Sequence, residues 1–211
     1  MKQIPLRFCE EDLERRGRKG LSIMANILIA YYSRKGQNYW NGSIKNLPKG
    51  NTEIVAEMIQ KTVGGDLFEI ETVKEYPADY TACTEVAKEE LRAKARPELK
   101  KMPESIDAYD VIFLGYPCWW GTMPMAVYTF LEHFDFAGKK IVPFCTHEGS
   151  RMGGSVNQIK KTAPGAVVLE GLPIHGAEAA QSEGEVAAWA EKSLSAKAGE
   201  AGFIKRTLRM G

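Results

Sequence analysis

Residues 110–124 read DVIFLGYPCWWGTMP, and the fold of the chain turns on them. The first seven form an apolar run, broken only by its opening Asp and Gly115, that leads into a Pro/Gly-punctuated loop holding two adjacent tryptophans. Such a run, with little polar alternation, reads as a strand buried on both faces. The loop calls for a different reading. Trp119 and Trp120 cannot both face the core, because each would bury an indole N–H that needs a partner. Between Pro117 and Gly121, one of the pair is read as the wall of a flat, aromatic ligand site.

Working outward, three further apolar runs recur at Asn26 to Tyr32 (NILIAYY), Lys140 to Thr146 (KIVPFCT) and Ala166 to Leu169 (AVVL). Asp66 to Glu71 (DLFEIE) alternates more and fits an edge strand. Helical spacing lies between them: Ile54, Val55, Met58 and Ile59, then Tyr80, Cys83, Ala87 and Leu91, then a helix opened by Pro124 through Val127 and Leu131. Val156, Ile159 and Lys160 mark a fourth, and Gly184 to Ala198 a last. Five strand–helix alternations imply right-handed βαβ units and an open parallel sheet with helices on both faces. A ligand in such a sheet sits beyond the carboxyl ends of the strands, where strand order reverses.

Two more loops reach that edge. The first strand runs into Tyr31-Tyr32-Ser33, and the first helix starts at Gly50-Asn51-Thr52. Ser33, Asn51 and Thr52 supply hydroxyl and amide donors beside free helix N–H groups, a combination that suits a phosphate dianion without a lysine. An ordinary Asn-led helix start would use the same residues. The fourth long strand runs into Thr146-His147-Glu148-Gly149-Ser150, whose small and polar residues allow close backbone approach to a ligand edge. His147 reads as surface before proton carrier, and Cys118 as a gap-filling thiol before a redox group.

Composition narrows the class. The chain has 211 residues and a formal net charge of +1, with the positive charge gathered at both ends. Residues 24–195 hold 18 basic and 22 acidic side chains, a net of −4, which argues against nucleic acid as a partner. Cys9, Cys83, Cys118 and Cys145 are widely spaced and form no metal-ligand pattern, as expected of reduced thiols in a cytoplasmic protein. No apolar run is long enough to span a bilayer, so no membrane partner is expected. Residues 1–23 interleave acids and bases and read as a disordered N-terminal extension with Met24 as an alternative start; residues 24–198 form the domain, and 199–211 a basic tail.

The stretches ILIAYYS at 27–33, GNT at 50–52, DVIFLGYPCWWGTMP at 110–124 and PFCTHEGS at 143–150 together resemble the flavodoxin family, in its short-chain branch. The resemblance covers about Ala25 to Ala198. It implies an α/β, flavodoxin-like three-layer sandwich with a five-stranded parallel sheet of order 2-1-3-4-5, binding FMN non-covalently. Ser33, Asn51 and Thr52 would hold the phosphate; Pro117, Trp119, Trp120 and Gly121 would flank the isoalloxazine, with Thr146, Glu148 and Gly149 closing its other side. A typical family member completes its phosphate loop within about six residues, S/T-x-T/S-G-x-T, whereas here Arg34 to Lys49 intervene. That insert is expected to fold over the cofactor through Asn38, Tyr39 or Trp40.

The function implied is electron transfer between redox partner proteins, a reductase and an acceptor, by a monomer or weak homodimer. Backbone groups near Gly121 would bond the ring in one redox state only. The alternative is an FMN-dependent NAD(P)H oxidoreductase acting on quinones or nitro compounds, which needs a second pocket. A phospho-receiver domain would need carboxylates where the first and third strands end; Tyr-Tyr-Ser and Gly-Tyr-Pro stand there. Neither the P-loop nor the dinucleotide-binding glycine pattern occurs.

Overall fold

Along β1 (Ile27–Tyr31) every residue is buried, and alternation of side chains explains why. Leu28, Ala30 and the following Tyr32 enter one core; Ile27, Ile29 and Tyr31 enter another on the opposite face. β5 (Val111–Pro117) divides the same way: Ile112, Leu114 and Tyr116 face the first core, Val111 and Phe113 the second. An apolar run without polar alternation is thus the signature of a sheet covered twice. The structure is a computed structural model that describes residues 25–196. The expected N-terminal extension and the basic tail lie outside the described residues.

Four sheet lanes run β4 (Asp66–Glu69), β1, β5 and β6 (Lys140–His147), all parallel. The fifth lane departs from the single strand expected at Ala166 to Leu169. It is split end to end: β7 (Val167–Val168) pairs with Lys140 and Ile141, and β8 (Leu172–His175) pairs with Phe144 to His147. The order 2-1-3-4-5 therefore stands, with two short strands sharing its last place.

Helices α1 (Asn51–Val63) and α5 (Glu183–Ser195) cover one face through Val55, Ala56, Ile59, Val186 and Ala190. Helices α3 (Met125–His133) and α4 (Ser155–Thr162) cover the other through Ala126, Val127, Phe130, Leu131 and Ile159. Helix α2 (Tyr80–Ala93) flanks α3, its start capped by Asp79, whose carboxylate accepts the Ala82 N–H at 2.8 Å. Each fully buried Phe or Ile contributes about 1.5–3 kcal/mol, so the two cores make a rigid platform whose carboxyl edge carries the loops.

The insert is the main addition to this plan. It folds as an antiparallel hairpin of β2 (Gly36–Trp40) and β3 (Ser43–Leu47), turning at Asn41-Gly42. Both turn residues have positive φ, 46° and 90°, the pattern of a type I′ turn, for which Asn-Gly is the preferred pair. Among the described residues, no helix is long and apolar enough to cross a membrane.

Candidate functional site

The start of α1 is organised by Ser33, the residue that ends the run out of β1. Its Oγ accepts the N–H of Glu53 at 3.1 Å, capping a helix whose own N-cap, Gly50, has no side chain to do so. Gly50 is required: a Cβ there would stand 2.1 Å from Ser33 Oγ. The first turn leaves the N–H groups of Asn51 and Thr52 without intrahelical acceptors. Thr52 is buried, and its hydroxyl pairs with that of Thr146 at 2.8 Å, tying α1 to the end of β6. Glu148 reaches the same place. A Cβ on Gly176 would lie 2.6 Å from Glu148 Oε1 and 2.8 Å from Asn51 Nδ2, so a carboxylate stands beside the helix start, where negative charge is favoured.

The tryptophan pair splits as its chemistry requires. Trp119 turns inward, edge-on to Tyr32 and Tyr76 with ring centres 5.4 and 5.1 Å away. Trp120 turns outward, remains 50% exposed, and donates its indole N–H to the Thr84 carbonyl at 2.9 Å. Between them the chain makes a tight reversal: Trp119 and Thr122 exchange backbone hydrogen bonds of 2.8 and 3.1 Å. The central residues, Trp120 and Gly121, have φ of 52° and 78°. This is again the type I′ pattern, with a tryptophan where an unstrained turn has Asn or Gly. The turn is pinned from beside it, since Gly154 N–H donates to the Gly121 carbonyl at 2.8 Å.

These elements surround a cavity of about 420 Å³, lined by Trp119, Trp120, Gly121 and Cys118 from the turn, Tyr80, Cys83, Thr84 and Ala87 from α2, Ser150, and Arg34 and Asn38 from the insert. Its volume lies within the range of small-molecule sites. Asn38 lines it while its amide donates to the carbonyls of Arg34 and Gly36 at 3.0 and 3.1 Å. Tyr39 and Trp40 point elsewhere: Tyr39 approaches Tyr80 with ring centres 6.2 Å apart, and Trp40 lies under Lys45 Nζ at 4.9 Å. The hairpin is fastened at both ends, by Gln37 Oε1 accepting the Tyr80 N–H at 2.9 Å and by Glu148 accepting the Asn41 N–H at 3.2 Å. Pro117, Thr146, Glu148 and Gly149 flank the carboxyl edge without lining the cavity. Gly149 donates its N–H to His147 Nδ1 at 2.9 Å.

The family profile described as Flavodoxin matches residues 45–193. The chain belongs to the flavodoxin family. A flavoprotein candidate of known structure from Bacteroides eggerthii is similar at 32% identity, covering 82% of this chain and 99% of its own, with a TM-score of 0.66. One from Bacteroides uniformis shares 28% identity over 79% and 98%, with a TM-score of 0.62. A flavoprotein from Lactobacillus acidophilus, solved in complex with FMN, shares 21% over 74% and 97%, with a TM-score of 0.54, and speaks to the fold alone. A search of curated proteins finds no match.

Within this flavodoxin-family frame, the side chains that the sequence did not nominate are those brought in from a distance. Arg34 donates through Nη2 to the carbonyls of Pro77 and Ala78, 2.9 Å each, while its Nη1 is buried with no oxygen partner among the described residues and the guanidinium meets the Cys83 thiol. Cys83, Thr84 and Ala87 sit at helical spacing that reads as core. The thiols differ in character. Cys145, fully buried, lies beside Cys118; the hydrogen bond its thiol can give to the Cys118 thiolate, with help from the Gly121 backbone and Ser150, pulls Cys118 down to about 7. Burial pushes the Cys83 thiol up despite the nearby Arg34 guanidinium.

Proposed function

We propose that the chain binds FMN non-covalently and passes electrons through it as a carrier. The single observation behind this is the cavity at the carboxyl edge of the sheet, with an exposed indole held in a strained turn beside it. When bound, FMN supplies one- and two-electron chemistry that amino-acid side chains lack.

The residues present fit such a group. Trp120 offers a flat apolar face, and Gly121, with open space around its missing Cβ, leaves the backbone approachable. Cys118, Asn38 and Ser150 add polar groups in the same cavity. Ser33, Asn51 and Thr52 would hold the phosphate through hydroxyl, amide and helix N–H donors, as the Gly50 cradle allows. Glu148 must swing aside or stay out of that cluster, because a carboxylate and a phosphate repel at short range.

Tyr80 and Ala87 exclude water along the helix side of the cavity, and the hairpin closes its remaining wall. Exclusion of water strengthens each polar contact left inside. A visible spectrum of the purified protein tests the proposal: flavin absorption bands and release of FMN on denaturation are expected. A colourless protein that shows no heat of association with micromolar FMN overturns it.

A second reading, an FMN-dependent NAD(P)H oxidoreductase of quinones or nitro compounds, draws on the insert, because Arg34 and Asn38 add a wall to the cavity that a substrate pocket would use. Steady-state NADPH oxidation with a quinone separates the two. Turnover by the protein alone supports the enzyme; dependence on an added reductase supports the carrier.

A further inference from the structure

Among the described residues, Arg34 is the one Lys, Arg, Asp or Glu side chain that lines the cavity. Two carbonyls hold its Nη2, at Pro77 and Ala78, and so fix the guanidinium plane. Its Nη1 is shielded from water; among the described residues it has no oxygen partner, the guanidinium meets the Cys83 thiol, and no carboxylate pairs with it. The neighbours do not neutralise it either. Cys83 and Tyr32 are both held in their uncharged forms by burial. A guanidinium cannot shed its proton to escape this position. A fixed cation at the wall of a cavity that no carboxylate lines favours an incoming group that is negative or becomes so, most strongly below pH 7, where Cys118 is protonated.

We propose that Arg34 is the electrostatic determinant of reduction at this site, its fixed positive charge at the cavity wall offsetting the negative charge that the FMN ring gains when it accepts electrons. The inference rests on the FMN reading above. The apolar walls around Trp119, Trp120 and Ala87 disfavour added charge and lower the tendency of the ring to be reduced. Arg34 opposes them from the insert side. A cation fixed in a water-poor cavity acts more strongly than one in solvent, and charge beside the ring is a main means by which a protein tunes a flavin. The phosphate is the competing anion, but its expected donors are Ser33, Asn51 and Thr52 at the start of α1, while the Arg34 guanidinium lies against the loop before α2 and Cys83.

The test compares wild type with Arg34→Gln, which keeps N–H donors without the charge, and Arg34→Lys, which keeps the charge. Each full-length apoprotein is titrated with oxidised FMN, with anaerobically reduced FMN, and with riboflavin in both states. Circular dichroism checks that each variant is folded. The expected result is that Arg34→Gln binds oxidised FMN within threefold of wild type and reduced FMN at least tenfold more weakly. A tenfold loss confined to the reduced state lowers the two-electron potential by about 30 mV. Riboflavin should show the same ratio, and Arg34→Lys should restore most of it. Equal weakening of both redox states, seen with FMN but not riboflavin, would mean that Arg34 holds phosphate and overturns the proposal. An unchanged ratio in a variant that still binds FMN overturns it while leaving the FMN reading intact. Wild type that binds neither flavin removes both.

Discussion

Among the described residues, two type I′ turns lie near the carboxyl edge, and they are made from opposite materials. At the tip of the insert, Asn41 and Gly42 take φ of 46° and 90°, conformations that Asn and Gly adopt readily. After β5, Trp120 and Gly121 take 52° and 78°. A tryptophan in the left-handed region costs about 1–3 kcal/mol. The first turn is what a hairpin needs. The second places a large indole, half in solvent, at the mouth of a cavity, an arrangement that folding alone does not call for. The Thr84 carbonyl and the Gly154 N–H hold the strained turn in place, and a strained turn at a cavity mouth is where a ligand contact is expected.

The largest expected effect breaks this comparison directly. Trp120→Ala should weaken FMN binding by about five- to 150-fold, because aromatic stacking contributes about 1–3 kcal/mol per ring. Gly42→Ala, in open space at the other turn, should cost about 1 kcal/mol of stability through its positive φ and leave FMN affinity within twofold. Fluorescence titration and denaturant melts read the two quantities separately. Equal losses of FMN affinity in both variants would show that the turns are not functionally distinct.

A smaller effect sharpens the contrast. Gly121→Ala meets no steric obstacle, since nothing lies within 4 Å of the added Cβ, but φ stays at 78°. About 1 kcal/mol of stability should be lost. If the Trp120 to Thr122 backbone bonds the ring in one redox state, the redox titration should also change. An unaltered titration in the destabilised variant would remove that role from the turn. Thr146→Val, which breaks the buried hydroxyl pair with Thr52, should cost about 1–3 kcal/mol by leaving Thr52 unsatisfied. It reports on how firmly α1 is tied to β6.

The strands and helices that build the platform were legible in the sequence because their side chains carry it. The runs at 27–31, 111–117 and 140–147 are buried on both faces, so hydrophobicity alone locates them. The hairpin escapes that signal: GQNYW and SIKNL are mostly polar and lie at the surface, held by backbone pairing, with only the Asn41-Gly42 turn pair to betray them. The split fifth lane escapes it too, since β7 has two residues and β8 contains Pro173. At the candidate site, the tryptophan loop was legible because two adjacent indoles in a Pro/Gly loop pose a packing problem on their face. Arg34 was not. Its significance comes from Pro77, Ala78 and Cys83, more than forty positions away, which fix its guanidinium at the cavity wall.

The smallest effect uses Cys118 as a reporter of the strained turn. Its thiol stands next to Trp119, and its value of about 7 depends first on Cys145 and then on the Gly121 backbone and Ser150. Cys145 has one proton to give. In the neutral pair that S–H is directed to the carbonyls of Thr146 and Arg151, 3.5 Å each; when Cys118 ionises, it can turn to the thiolate. A depressed pKa means that the thiolate, the reactive form, is the minority below pH 7 and the majority above. Alkylation of the Cys118 peptide, followed by mass spectrometry, should therefore rise through pH 7, whereas an ordinary thiol rises near 8.5. Cys145→Ala removes the main donor and should move the rise to higher pH. Gly42→Ala should leave it in place, because the hairpin turn supplies nothing to Cys118. If Trp120→Ala relaxes its turn and withdraws the Gly121 N–H, the rise should move upward by less than in Cys145→Ala. A profile centred near 8.5 in the wild type would mean that the turn does not hold its donors against the sulfur.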